Sequence, residues 1–255
     1  MKHVVCSGLF TVLMLGASSV VQAQSAEPMG VFINVNAGGQ APQRTIDTSV
    51  SFPLYGQEAS VASAQNVGRG GIFDISGGYP LEKLGVRTKY LTDLSIGVGF
   101  TNYSKTGNIV GAASIPHPLF VNQPREVELN GQGKRTERSV YIQAVWFMPL
   151  DRFASWLDKA DLAFSIGPSF ISVSQDVFGE PSVPTGTQDV NASIVKADDS
   201  AVGLLAGVDG AYMITPRIGV GAFVRYHGAG GVDLSPAEKQ STGGFQGGGG
   251  VRLRF

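Results

Sequence analysis

Val202-Gly203-Leu204-Leu205-Ala206-Gly207-Val208-Asp209-Gly210-Ala211-Tyr212 runs into Ile218-Gly219-Val220-Gly221-Ala222-Phe223-Val224-Arg225-Tyr226 across a tight Thr215-Pro216-Arg217 turn. In the first run Val202, Leu204, Ala206, Val208 and Tyr212 oppose Gly203, Gly207, Asp209 and Ala211. In the second, Ile218, Val220, Ala222, Val224 and Tyr226 oppose Gly219, Gly221 and Arg225. Alternation at period 2 is a strand signature. The polar face is unusual, because it carries glycine and small residues with a few charges instead of Lys, Glu and Thr. A narrow interior needs small residues of that kind, so the apolar face reads as lipid-facing.

The same alternation occurs six more times. Val31, Ile33, Val35 and Ala37 alternate with Phe32, Asn34, Asn36 and Gly38; Phe73, Ile75 and Tyr79 oppose Asp74 and Ser76. Leu94, Ile96, Val98 and Phe100 oppose Ser95, Gly97, Gly99 and Thr101. Val140, Ile142, Ala144 and Trp146 oppose Tyr141, Gln143, Val145 and Phe147, and Leu162, Phe164 and Ile166 oppose Ala163, Ser165 and Gly167. Finally, Phe245, Val251, Leu253 and Phe255 oppose Gln246, Arg252 and Arg254. Runs of roughly 9–12 residues match a tilted strand crossing a bilayer.

The connections sort by length. Long polar ones are expected near 39–70, 104–138, 175–200 and 227–243, and short ones near 80–92, 149–160 and 214–217. Strict alternation of long and short, with an even strand count, fits an up-and-down barrel with both termini on the short-turn side. Tyr79, Tyr90, Phe147, Phe153, Trp156 and Tyr212 near one end, and Tyr103, Tyr141 and Tyr226 near the other, read as two interfacial belts. Residues 149–160 read as one amphipathic helical turn at the inner surface.

The first residues form a secretory leader. Lys2 precedes an apolar core from Val4 to Leu15, and Val21-Gln22-Ala23 reads as a cleavage site. The expected division is therefore a signal peptide at 1–23 and a barrel domain at 24–255. Cleavage would remove Cys6, the only cysteine, which excludes a disulfide framework or thiol chemistry from the mature chain. It would also remove Lys2 and move the formal charge from −1 to −2, a balance that does not favour nucleic acid. After residue 23 no apolar stretch is long enough for a transmembrane helix, so a membrane form must be a barrel.

The leader, the eight runs and the closing segment Gly248-Gly249-Gly250-Val251-Arg252-Leu253-Arg254-Phe255 resemble the OmpA-like outer-membrane β-barrel superfamily, in its small eight-stranded, porin-annotated branch. The resemblance covers nearly all of the mature chain. It implies an all-β, eight-stranded antiparallel transmembrane barrel in the outer membrane of a Gram-negative bacterium. It implies too that Phe255, with Leu253 and Val251 on its face, forms the signal read by the barrel-assembly machinery. No counterpart of the peptidoglycan-binding domain of full-length OmpA proteins is expected after the last strand, so cell-wall anchoring is not carried over.

Asp74, Asp209, Arg225, Arg252 and Arg254 are expected inside, near Asn34 and Asn36. Buried charges persist when paired, so a lumen-plugging ion network is the first expectation and a narrow passive channel the alternative. A barrel-borne lipid hydrolase would need His117 or His227, the latter with Asp233 and Ser235; a solvated interfacial histidine is the plainer expectation for His227. No cofactor is expected, and no metal, because Asp198-Asp199 stands alone in a predicted loop. Gly68-Arg69-Gly70-Gly71 and Gly243 to Gly250 precede no helix and are not phosphate loops. The loops, including Val50 to Tyr55, are the expected seat of any surface interaction. Lys134, Arg135 and Arg138 are expected to contact lipopolysaccharide phosphates at the outer leaflet. The remaining alternative is a soluble, lipocalin-like barrel with its apolar faces turned inward.

Overall fold

A computed structural model describes residues 30–41, 45–66, 68–85, 93–117, 120, 123–182, 191–234 and 240–255. The expected signal peptide and Tyr90 lie outside the described residues. The strands are β1 (Phe32–Ala41), β2 (Thr45–Leu54), β3 (Gln57–Asn66), β4 (Gly70–Pro80), β5 (Leu94–Ile115), β6 (Arg125–Pro149), β7 (Ala160–Ser182), β8 (Asn191–Met213), β9 (Ile218–Val232) and β10 (Gln240–Arg254). Among the described residues no helix is long and apolar enough to cross a membrane.

Eight strands close a ring. β1 pairs with β4, then β5, β6, β7, β8, β9 and β10 follow in order, and β10 returns antiparallel to β1 from Phe32↔Arg254 to Ala41↔Phe245. Closure removes the edges that lipid cannot satisfy. The short 214–217 connection is pinned by Thr215, whose Oγ1 accepts the amides of Arg217 (3.3 Å) and Ile218 (3.0 Å).

Side-chain parity follows the sequence in all eight ring strands. Asp74 is fully buried (0 % exposed), whereas Val202 on the opposite kind of face is 75 % exposed. Val98, Val140, Ile166, Val224 and Val251 are exposed with it, while Asn36, Ser76, Gln143, Arg225 and Arg252 are buried. Apolar outside and polar inside is the reverse of a soluble barrel. The lipocalin-like alternative is thereby removed, and the ring is a transmembrane barrel.

Four expectations change. Two further strands, β2 and β3, occupy most of the predicted 39–70 loop, and the tops of β5 to β8 occupy the next two. β5 to β8 have 22, 25, 23 and 23 residues, about twice a bilayer crossing. The β2–β3 hairpin turns at Tyr55-Gly56, both with positive φ (51° and 74°), as a two-residue type I′ turn requires. β3 then pairs with the upper part of β5, from Ser60↔Ser114 to Gln65↔Ile109, above the stretch that β4 occupies.

Second, residues 150–157 form two short 3₁₀ turns, Leu150–Arg152 and Ser155–Leu157, with no buried residue. Third, Tyr103, Tyr141 and Phe147 are buried inward and belong to no belt, while Tyr79, Phe153, Trp156, Tyr212 and Tyr226 are exposed. Position near a strand end does not decide the matter, because parity sends odd and even residues to opposite faces. Fourth, His227 is inside the barrel, as described below.

Above the apolar band the polarity reverses. Ala59, Val61, Ile109, Ala113, Ile115, Leu129 and Phe178 form a buried cluster under β2, β3, β5 and β6, with Phe52, Leu54 and Val127 against it. Pairing of β6 with β7 ends at Arg135↔Gln175, and the freed β7–β8 hairpin packs Phe178 against Gly111 and Gly131. Asp176 marks the parting, its Oδ2 accepting the Lys134 amide at 2.9 Å. A second cluster, Ile171, Val173, Ala201, Ala229, Val232 and Leu234, lines the opposite wall. The upper tier is thus a water-type β structure with its own apolar core.

Candidate functional site

The lumen is crossed by one connected chain of polar side chains. At its centre Asp74 accepts four bonds: from Asn36 Nδ2 (2.8 Å), Thr101 Oγ1 (2.8 Å), the Tyr141 hydroxyl (2.6 Å) and Arg225 Nη2 (2.8 Å). Arg225 also donates to Thr101 Oγ1 (3.0 Å), the Tyr141 oxygen (3.2 Å) and Gln246 Oε1 (2.6 Å). Thr101 and Tyr141 therefore each give a proton to the carboxylate and take one from the guanidinium. That arrangement fills the lone pairs and donors of a desolvated ion pair, the condition under which such a pair survives burial.

From this centre the chain runs upward. Gln246 donates to Gln40 (2.6 Å), and Gln40 to Glu137 (2.8 Å), which Arg135 holds from β6 at 2.8 Å. Downward, Asn36 accepts from Arg252 Nη1 (2.7 Å), and Arg252 grips Asp209 with two bonds of 2.9 and 2.6 Å. Arg254 pairs with Asp161 at the short-turn rim. Beneath the Arg252 layer the rings of Phe32 and Phe147 meet edge to face at 5.1 Å, backed by Val145 and Ala163.

The five charges singled out in the sequence all lie on the lumen face. Asp74 and Arg225 are brought together, as are Arg252 and Asp209, while Arg254 takes Asp161. Asp161, Glu137, Arg135 and Tyr141 were missed. Arg135 and Glu137 fall in 104–138, which reads as a loop and carries no parity; Asp161 lies one residue before the run that starts at Leu162, and Tyr141, on the inward face of its run, reads as part of a belt.

Arg135 is 2 % exposed and locked to Glu137 inside the barrel, whereas Lys134 and Arg138 are exposed on the opposite face of β6. A period of 2 cannot put positions 134, 135 and 138 on one face. His227 is likewise buried, its ring edge-on to Tyr141 at 5.9 Å, which removes the solvated interfacial placement. Asp233 engages Asp199 through its backbone amide, and Ser235 lies outside the described residues. His117 meets Phe120 with ring centroids 4.8 Å apart and planes tilted by 49°, and Phe120 is exposed.

A cavity of about 30 Å³ lies below Arg225, lined by Asn34, Ser76, Gln143, Ser165 and Asp209 among others. That holds one or two waters. Among the described residues no group of three His, Cys, Asp or Glu is placed to hold a metal ion.

No protein-family model and no curated protein matches the sequence. Seventeen solved chains match, three of them as follows. Neisserial surface protein A aligns at 18 % identity with a TM-score of 0.44, over 89 % of this chain and 97 % of that one. The outer membrane protein OprG from Pseudomonas aeruginosa aligns at 12 % identity and a TM-score of 0.43, over 89 % and 97 %. Ail, the attachment invasion locus protein of Yersinia pestis, aligns at 11 % and 0.39, over 88 % and 100 %. The assignment of fold rests on this chain's own closed ring and inverted polarity.

Proposed function

We propose that the protein is an exported outer-membrane barrel, closed along its axis, whose work is done on the surface by the tall upper tier. The expected leader at 1–23 carries the chain across the inner membrane, and Val251, Leu253 and Phe255 present the terminal face to the assembly machinery. The observation that supports a closed, non-catalytic role is the unbroken polar chain from Arg135 to Asp209. Each charge in it is bound by a partner on another strand or on its own, which leaves no free nucleophile–base pair. A closed axis also weighs against the narrow passive channel, and the burial of His227 inside the barrel against Tyr141 weighs against a lipid hydrolase.

Outer-leaflet lipid is the partner this reading implies at the upper edge of the apolar band. Arg138 stands two positions above Val140, and Lys134 four positions higher, both exposed on the outer face of β6. Ser104, Thr106 and Ser172 neighbour them across the ladders. Two cations flanked by hydroxyls suit lipopolysaccharide phosphates.

The deciding experiment pairs SDS gel migration, boiled against unboiled, with planar-bilayer recording of the same preparation. A heat-modifiable band and a silent membrane are expected. Resolved conductance steps would replace the closed reading by the channel. A single band from a soluble periplasmic fraction would refute a membrane barrel altogether.

A further inference from the structure

Above the apolar band β6 and β7 part company. They pair up to Arg135↔Gln175, and beyond that point β7 stays with β8 alone, as far as Ser182↔Asn191. β6 continues upward paired only to β5, from Lys134 to Arg125. Asp176 fixes the base of the split by taking the Lys134 amide, and Phe178 carries the β7–β8 hairpin beneath β5 and β6. Among the described residues this leaves three strand edges without a ladder: the outer side of β2, the upper part of β7 and the upper part of β6.

An open edge is a template for another chain unless something blocks it, and proline is a common block. β2 carries Pro53, and the upper part of β7 carries Pro181. β6 has no proline from Arg125 to Lys134. It has Glu126 and Glu128 instead, both exposed on the outer face, with Ser114 and Ala112 beside them on β5. Like charges set opposite one another oppose pairing. An antiparallel second copy of this edge, with Glu126 against Glu128, is therefore disfavoured, and a strand with Lys or Arg at alternate positions is favoured. The intervening side chains of such a strand point inward. On that side Ile194 of β8 lies against Gly131 and is still 44 % exposed, and Val127 is only partly covered.

We propose that the β6 edge from Glu126 to Gly133 docks an extended segment of a partner protein by strand addition, its basic side chains outward and its apolar ones inward. The ladder supplies binding open to any extended chain, while the two glutamates and Ile194 select the sequence. This rests on the upper tier being the surface-acting part of an outer-membrane barrel.

The test uses the full barrel in phosphatidylcholine vesicles, whose zwitterionic surface does not attract a basic peptide by charge. Folding is checked by heat-modifiable migration. The probe is a fluorescent peptide of alternating lysine and valine, about eight residues long, within the usual length of a strand; binding is read by anisotropy. Two further peptides carry N-methyl groups, one on its lysines and the other on its valines. Alternate residues of an added strand turn their N–H groups to the edge. Methylation of one set should therefore weaken binding at least tenfold, as several hydrogen bonds are lost together, and methylation of the other should leave it unchanged. Glu126→Gln combined with Glu128→Gln should weaken the parent peptide about fivefold, as expected for two cross-strand ion pairs. Methylated peptides that behave alike would overturn strand addition, and undiminished binding to the glutamine variant would overturn this edge as the site. No binding of the parent peptide to a heat-modifiable barrel would overturn the proposal and leave the barrel reading intact. A preparation without heat modifiability would defeat both.

Discussion

Asp74 shows how a single side chain organises the lumen. It lies among the apolar neighbours Phe73 and Ile75, and its inward direction follows from parity alone; that part is legible in the sequence. The identity of its partners is not, because Arg225, Tyr141, Thr101 and Asn36 come from four other strands and only ring closure brings them together. Asp74→Ala leaves the Arg225 guanidinium buried without its counter-charge and should cost about 3–5 kcal/mol in urea unfolding from lipid vesicles. The double variant Asp74→Leu/Arg225→Met removes both charges and should recover most of that loss. An equally unstable double variant would show that the shell of hydrogen bonds, not the stranded charge, is what matters. Parity also separates the basic residues of β6. Lys134→Ala and Arg138→Ala should weaken lipopolysaccharide binding in a salt-dependent way with little change in unfolding. Arg135→Ala should do the reverse, because it strands Glu137 (5 % exposed) inside the barrel.

At the scale of elements, the sequence announces the membrane halves of the strands and conceals their continuations. Below Ser139, β6 sets Val140, Ile142, Ala144 and Trp146 outward, a pattern that only lipid explains. Above it, Glu126, Glu128, Asn130 and Gln132 point out and Leu129 points in, which is ordinary soluble alternation of the opposite sense. A strand that changes solvent halfway changes the meaning of its own pattern. With glycine and charge added, such a stretch reads as a loop. The same holds for β2 and β3, where Ser51, Ala62 and Ala64 give small outward faces and Val61 a buried one. The upper tier therefore depends on its own core. Phe178 is its keystone from β7, and Phe178→Ala should lower that tier's stability by about 3–5 kcal/mol. Hydrogen exchange should show lost amide protection across β2, β3 and the top of β5, with the membrane halves of β5 and β6 unchanged. Uniform loss through both tiers would mean that they unfold as one unit.

For the whole molecule, the position of the bilayer follows from where the outward faces change character. On β6 the outward series runs from Arg138, the last charge above, to Met148 beside the short-turn rim. Ten residues at about 3.3 Å each, tilted by roughly 40°, span about 25 Å along the normal, the height of an outer-membrane apolar band. Exposed Tyr79, Trp146, Phe153, Trp156 and Tyr212 gather at the lower boundary, and Tyr226 and Phe245 meet edge to face at 5.4 Å towards the upper one. Val98 faces out opposite Ile142, near the middle of this span. An arginine there must sit in hydrocarbon or deform the bilayer, and Val98→Arg should cost about 2–4 kcal/mol on equilibrium unfolding from vesicles. Asn130→Arg places the same charge outward on β6 eight positions above Arg138, beyond the band, and should change stability by less than about 0.5 kcal/mol. The contrast between the two sites is the informative quantity, since both are outward, exposed strand positions with similar backbone demands. Equal costs would mean that β6 is sunk too deep or too shallow in this placement, and the boundary at Arg138 would have to move with it.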